Sequence, residues 1–135
     1  MSNFLEQYSC KARHNFEFGI VRFYEDFLIT ELKEGACFNI NDAYKISKLI
    51  PDYFQDRPFG YISNRINSYA VTPTDYLKIK EVFPTINSLA AVIHSSMQKS
   101  VIEIENSFLE NQILDFDNLE DAIKWTKLKL KEKNN

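Results

Sequence analysis

The chain has 135 residues, which suits one domain folding around its own core with no need of a metal or disulfides. Its 44% hydrophobic and 26% charged residues are the balance of a soluble globular protein. A net charge of −3 excludes a basic nucleic-acid footprint, and only three glycines argue against Gly-rich phosphate cradles.

Residues 1–15 read as a polar lead-in, residues 1 to about 14 alternatively as part of a strand with no assigned place, 16–131 as one domain and 132–135 as a polar tail. Phe4-Leu5 is followed at once by Glu6, Gln7 and Tyr8, which is no leader pattern, and no apolar run reaches the roughly 20 residues of a membrane span. Cys10 and Cys37 stand far apart in no motif, as free thiols of a cytoplasmic protein do. The aromatic run Phe16 to Tyr24 predicts a strand, with Glu25-Asp26 a short turn and Phe27 to Leu32 a second strand. So short a link forces an antiparallel hairpin. With period two, Phe16 and Phe18 share a face with Ile20 and Arg22, and Phe23 shares the other with Val21. Bulky groups on both faces suggest a dimer surface, or cover by helices on one side and the N-terminal segment on the other.

Asn39 or Asn41 caps a helix predicted over about 42–54, with Ala43, Ile46, Leu49, Ile50 and Tyr53 at helical spacing. Pro51 should kink or end it near Ile50. Phe59 to Ser63 is a short strand, and residues 64–71 fit neither period. Thr72-Pro73-Thr74-Asp75 has the form of a capping box opening a helix to about Val82. Leu89 to Ile93 reads as a strand buried on both faces. Ser95 or Ser96 then caps a helix whose spacing is marked by Val101, Ile104, Glu105 and Phe108. Residues 112–116 read as a short strand or extended link, and Asp117 with Glu120 caps a closing helix carrying Leu119, Ala122, Ile123, Thr126 and Leu130. Its lysine-rich end, Lys124 to Lys133, suits a helix C-terminus. The order β-β-α-β-α-β-α-β-α predicts an α/β domain: a mostly parallel mixed sheet with an antiparallel edge, helices packed against it.

Two segments add a resemblance. Tyr61-Ile62-Ser63-Asn64-Arg65-Ile66-Asn67-Ser68-Tyr69 and Phe116-Asp117-Asn118-Leu119-Glu120-Asp121-Ala122-Ile123-Lys124-Trp125, within this element order, resemble stand-alone bacterial members of the STAS-like or SpoIIAA-like superfamily, of the kind found in Bacteroidetes. The resemblance spans roughly residues 16 to 130. It implies a mixed-sheet α/β sandwich with helices largely on one face. Some members are switched by phosphorylation of a serine in an Asp-Ser-Ser-Gly motif, which this sequence lacks. Ser63, Ser68 and Thr72 are the phosphorylation candidates in the matching region, with Thr74 beside them.

The candidate binding residues are Ser63, Asn64, Arg65, Asn67, Ser68, Tyr69 and Thr72. A polar loop beyond a strand's carboxyl end, leading to a helix N-terminus, offers N–H donors to an anion, and Arg65 could grip it bidentately. The same residues equally suit a self-supporting loop, its Asn side chains bonding backbone and Tyr69 packing on the core. His94 with Ser63 or Ser68 is a remote hydrolase pairing, and His14 has no metal-type partner at useful spacing. Catalytic residues, cofactors and metal ligands are therefore assigned to none. The leading expectation is a non-enzymatic regulatory or protein-binding domain, with a protein partner or a second copy and neither nucleic acid nor membrane insertion. It predicts a shallow surface and no apolar cavity. A carrier of a small molecule or lipid, which predicts an apolar pocket, is the alternative.

Overall fold

The structure, a computed structural model, describes residues 4–134. Six strands form the main sheet in the order β1-β2-β3-β5-β7-β8: Ala12–Phe16, Gly19–Phe23, Phe27–Leu32, Phe59–Asn64, Ile86–Val92 and Leu114–Phe116. β1, β2 and β3 pair antiparallel, and β3, β5, β7 and β8 parallel, the mixed sheet expected. Two further strands, β4 (Cys37–Phe38) and β6 (Ala70–Val71), pair parallel apart from it.

The first edge departs from expectation. Residues 12–16, set aside in the lead-in and at its border, form strand β1, so the sheet has one more strand than predicted. The predicted strand 16–24 is broken by a two-residue turn at Glu17-Phe18. The turn carries Phe18 into the core with Val21 and Phe23, rather than beside Ile20 and Arg22. Gly19 follows at φ 151°, where an added Cβ would lie 2.3 Å from the Glu31 carbonyl oxygen, so glycine alone fits this closure.

Asn39 opens α1 (Ile40–Ser47) through a capping box with Asp42, earlier than the predicted start. The predicted helix 42–54 is two helices, because α2 (Ile50–Phe54) restarts with Pro51 in its first turn, where no N–H is required. Thr72 makes no side-chain cap. Its carbonyl accepts the Asp75 N–H instead, giving a 3₁₀ turn over Pro73–Lys78 before the short α3 (Ile79–Val82). Ser95 caps α4 (Ser96–Asn106) by accepting the Gln98 N–H. Asn118, not Asp117, accepts the Asp121 N–H at the start of α5 (Leu119–Asn134), which runs into the residues read as a tail.

The sheet carries a core on each face. On one, Val21, Phe23, Leu28 and Phe59 pack against Ile46, Ile50, Phe54 and Val82 of α1, α2 and α3, while Ala91 meets Ile102 of α4. On the other, Phe27, Ile29, Ile62 and Ala90 pack against Ala122 and Ile123 of α5, with Leu5 and Tyr8 from the N-terminal segment covering the hairpin end. Both sides of the aromatic hairpin thus gain cover within one chain. α5 approaches the sheet at Gly60, where an added Cβ would come 2.0 Å from the Thr126 methyl. Gly60→Ala should therefore cost about 1–3 kcal/mol, the usual range for overpacking. Thr126→Ser removes that methyl but keeps the hydroxyl that donates to the Ala122 carbonyl, and should restore most of the loss. A double-mutant cycle on urea midpoints checks this, and independent, additive effects would refute the contact.

Candidate functional site

The carboxyl end of β5 carries a buried polar cluster built from four segments. Arg65 follows the strand directly, its N–H bonded to the Val92 carbonyl of β7. Its guanidinium turns inward to Glu105 on α4, with Nη1 donating at 2.6 Å and Nη2 at 3.1 Å to the two carboxylate oxygens. Arg65 is 5% exposed and Glu105 is fully buried. Nε of Arg65 donates to the Ser63 hydroxyl at 3.2 Å, which lies 2.9 Å from the Tyr69 hydroxyl. Tyr76, from the 3₁₀ turn, donates its hydroxyl to Glu105. The Arg65 guanidinium also lies over the Tyr69 ring, 5.7 Å from its centroid.

The electrostatics follow from burial and pairing. Burial pushes the Tyr76 and Tyr69 hydroxyls above their ordinary range; the Glu105 charge raises Tyr76 further, while Arg65 opposes the rise at Tyr69. Tyr61, on the same sheet face, is also raised by burial. For Arg65 burial works against the charged form, but Tyr69 and Glu105 outweigh it and the net shift is upward. The cation is permanent and compensated.

Arg65 is held at its backbone as well. Gln98 of α4 donates Nε2 to the Arg65 carbonyl at 2.8 Å, while its Oε1 accepts the His94 N–H at 2.6 Å. This corrects the sequence reading of Arg65 as a free anion clamp, since all three groups of its guanidinium are already engaged within the chain. Among the expected binding residues, Ser63, Arg65, Tyr69 and Thr72 come together around one cavity. The others support the loop: Asn64 donates to Glu31, Asn67 donates to the Leu32 carbonyl, and the Ser68 N–H donates to Glu34. The β4–β6 pair and the Gly35 N–H bond to the Ser68 carbonyl tie that loop down.

The cavity measures about 80 Å³ and lies on the sheet face beneath α1, α3 and the 65–76 segment. Its walls are mainly apolar, with Leu32, Phe38, Ala43 and Leu89 among them, and the hydroxyl cluster closes one side. The protein-binding reading expects no apolar cavity and the carrier reading expects one; the cavity present is well under the roughly 300 Å³ at which drug-sized pockets begin.

Sequence reasoning missed Glu105 as a site residue. Val101, Ile104, Glu105 and Phe108 mark the helical spacing in the sequence, but the residues that α4 buries are Ile102 and Glu105. Val101 and Ile104 point outward, together with Met97. The available signal was a carboxylate inside an apolar stripe. His94 is exposed, and among the described residues no hydrogen bond joins its ring to Ser63 or Ser68. The His14 ring instead lies 2.8 Å from the Tyr53 hydroxyl, an internal contact between β1 and α2. Among the described residues no helix is long and apolar enough to cross a membrane.

The mixed sheet, its parallel half and its antiparallel edge define a SpoIIAA-like fold. A solved structure described as an uncharacterised protein from the DUF3478 family with a SpoIIAA-like fold, from Shewanella loihica PV-4, superposes with a TM-score of 0.53 over 88% of this chain and 93% of that one, at 12% identity. At that identity the likeness is one of fold. No protein-family model matches the sequence, and no curated protein does.

Proposed function

We propose that this domain is a non-enzymatic, regulatory protein-binding module that docks another chain through the outer face of α4. The observation that carries this reading is where large apolar side chains are exposed. Met97, Val101 and Ile104 form a stripe at helical spacing, with Met97 76% and Ile104 57% exposed. Leu77, on the 3₁₀ turn that α4 packs beside, is exposed too, as is Ile66, next to Arg65, whose carbonyl Gln98 of α4 holds. Such grouping of apolar side chains marks a contact surface more than scattered ones do. Ser96 and Ser100 add no charge beside the stripe, and the exposed charges of the helix, Lys99 and Glu103, are of opposite sign.

The site chemistry supports binding over catalysis, because the ionisable groups of the buried cluster bond each other. Ser68 and Thr72 are exposed and are the phosphorylation candidates this reading keeps, whereas the Ser63 hydroxyl is engaged. Exposed, unpaired Cys10 and Cys37 suit a reducing, cytoplasmic setting.

The test compares wild type with Met97→Asp/Val101→Asp, and with Leu128→Asp on α5 as a control for an isolated exposed leucine. Capture from native extract and sedimentation velocity together cover a foreign partner and a second copy. Loss of one defined complex in the α4 variant alone supports the reading. A complex that all three forms keep, or none forms, rejects it.

A further inference from the structure

We propose that the cavity beneath α1 is a binding site for a small, uncharged molecule with an apolar body and one hydrogen-bond acceptor, such as a short ketone or ether. The site is separate from the outer face of α4, so either proposal can fail without the other.

Charge balance decides the first part. Among the described residues Arg65 is the one cation on the cavity wall, and Glu105 cancels it through a bidentate pair. Asp75, the other charged residue on that wall, is half-exposed and negative. An anionic ligand would meet no free cation and would lose its hydration. The Arg65 pair therefore acts as a neutral, polar wall.

Proton counting decides the second part. Ser63 and Tyr69 each own one hydroxyl proton and each can accept. Ser63 Oγ accepts from Arg65 Nε, and one bond joins the two hydroxyls. That bond uses one of the two protons. Among the described residues the other O–H has no acceptor, and both residues line the cavity. This hydroxyl pair thus presents one surplus donor to the cavity, while the Tyr76 proton is committed to Glu105. A ligand acceptor completes the set.

Size decides the third. A cavity of about 80 Å³ is smaller than the ~150 Å³ engineered cavity that takes benzene. At benzene's volume per atom about three heavy atoms fill it, so a short ketone occupies it with its carbonyl half, and so small a contact binds weakly.

The experiment titrates 2-butanone, propionate and propylammonium, matched closely in size, into ¹⁵N-labelled protein and follows amide shifts. Expected is saturable, millimolar binding of 2-butanone with shifts centred on residues 63–76 and on α1. Propionate should bind at least tenfold more weakly. Removing either hydroxyl singly leaves the other proton free, so Ser63→Ala and Tyr69→Phe should each change butanone affinity less than threefold. Removing both should weaken it about five- to tenfold, the loss of one hydrogen bond. Ala43→Leu, which fills the cavity from α1, should abolish the shifts, and it decides the matter if the double variant does not fold. Propionate or propylammonium binding as tightly as butanone, or butanone shifts that survive Ala43→Leu, would overturn the proposal, as would the absence of saturable shifts in wild type.

Discussion

Glu105→Leu should destabilise the domain by about 3–5 kcal/mol at neutral pH, the cost of leaving a buried charge without its partner. Arg65 cannot escape by deprotonating, and only 5% of its surface meets water. The Tyr76 hydroxyl loses its acceptor in the same step, which adds roughly 1–3 kcal/mol if it finds no other. Against a total stability of about 5–15 kcal/mol for a domain of this kind, the variant should sit near its unfolding threshold at room temperature. The informative comparison is with Arg65→Met/Glu105→Leu, where both charges go and the volume is roughly kept. Apolar replacement of a whole buried pair is often neutral or stabilising, so this variant should recover most of the loss. Adding Tyr76→Phe should recover the remainder by removing the orphaned hydroxyl. Urea unfolding at constant m-value measures all three. If the double variant is as unstable as Glu105→Leu, the pair is a net source of stability. If Glu105→Leu costs under 1 kcal/mol, the site is wet.

That the pair was half-legible in the sequence has a physical explanation. Arg65 stood out because it follows a strand in a polar loop, the place where α/β sheets present ligand groups. Nothing local shows that its partner lies 40 residues away on α4. The apolar residues of α4 misled for a related reason. Periodicity assumes that burial follows hydrophobicity, and here a charge occupies the core face while Met97, Val101 and Ile104 occupy the outer one. The parallel half of the sheet was readable because β5 and β7 are short apolar runs separated by turn residues and helical segments. β1 was not, because Arg13, His14 and Asn15 give Ala12–Phe16 a polar centre, and the strand gains its identity from pairing with β2. β4 and β6, two residues each, exist through each other and leave no trace in either segment alone.

Raising the pH should unfold this domain cooperatively above about pH 10, with the buried tyrosines as the cause. Tyr61, Tyr69 and Tyr76 all have pKa values raised above the ordinary value of 10.0, each chiefly by burial. Tyr24, at the end of the hairpin, is shifted the same way. In the unfolded chain these hydroxyls ionise near pH 10. Above that point the native state holds protons that the unfolded state has released, so stability falls as pH rises. The contribution is present in full below pH 10 and drains away as the pH climbs toward the raised native values. Each such tyrosine removes about 1.4 kcal/mol per pH unit in that window, so the three together remove roughly 4. Tyrosinate absorbance near 295 nm should therefore appear late, above pH 10, and in step with the loss of near-ultraviolet circular dichroism. Tyr76→Phe should flatten the dependence by one proton. It also leaves Glu105 with Arg65 alone, so the variant should start less stable yet lose stability more slowly with pH. That crossing of slopes separates the network from general alkaline denaturation, in which surface lysines would discharge alike in both proteins. A gradual absorbance rise centred at pH 10 with the fold intact would mean that water already reaches these hydroxyls. The surplus O–H argued for the cavity would then be hydrated rather than waiting for a ligand.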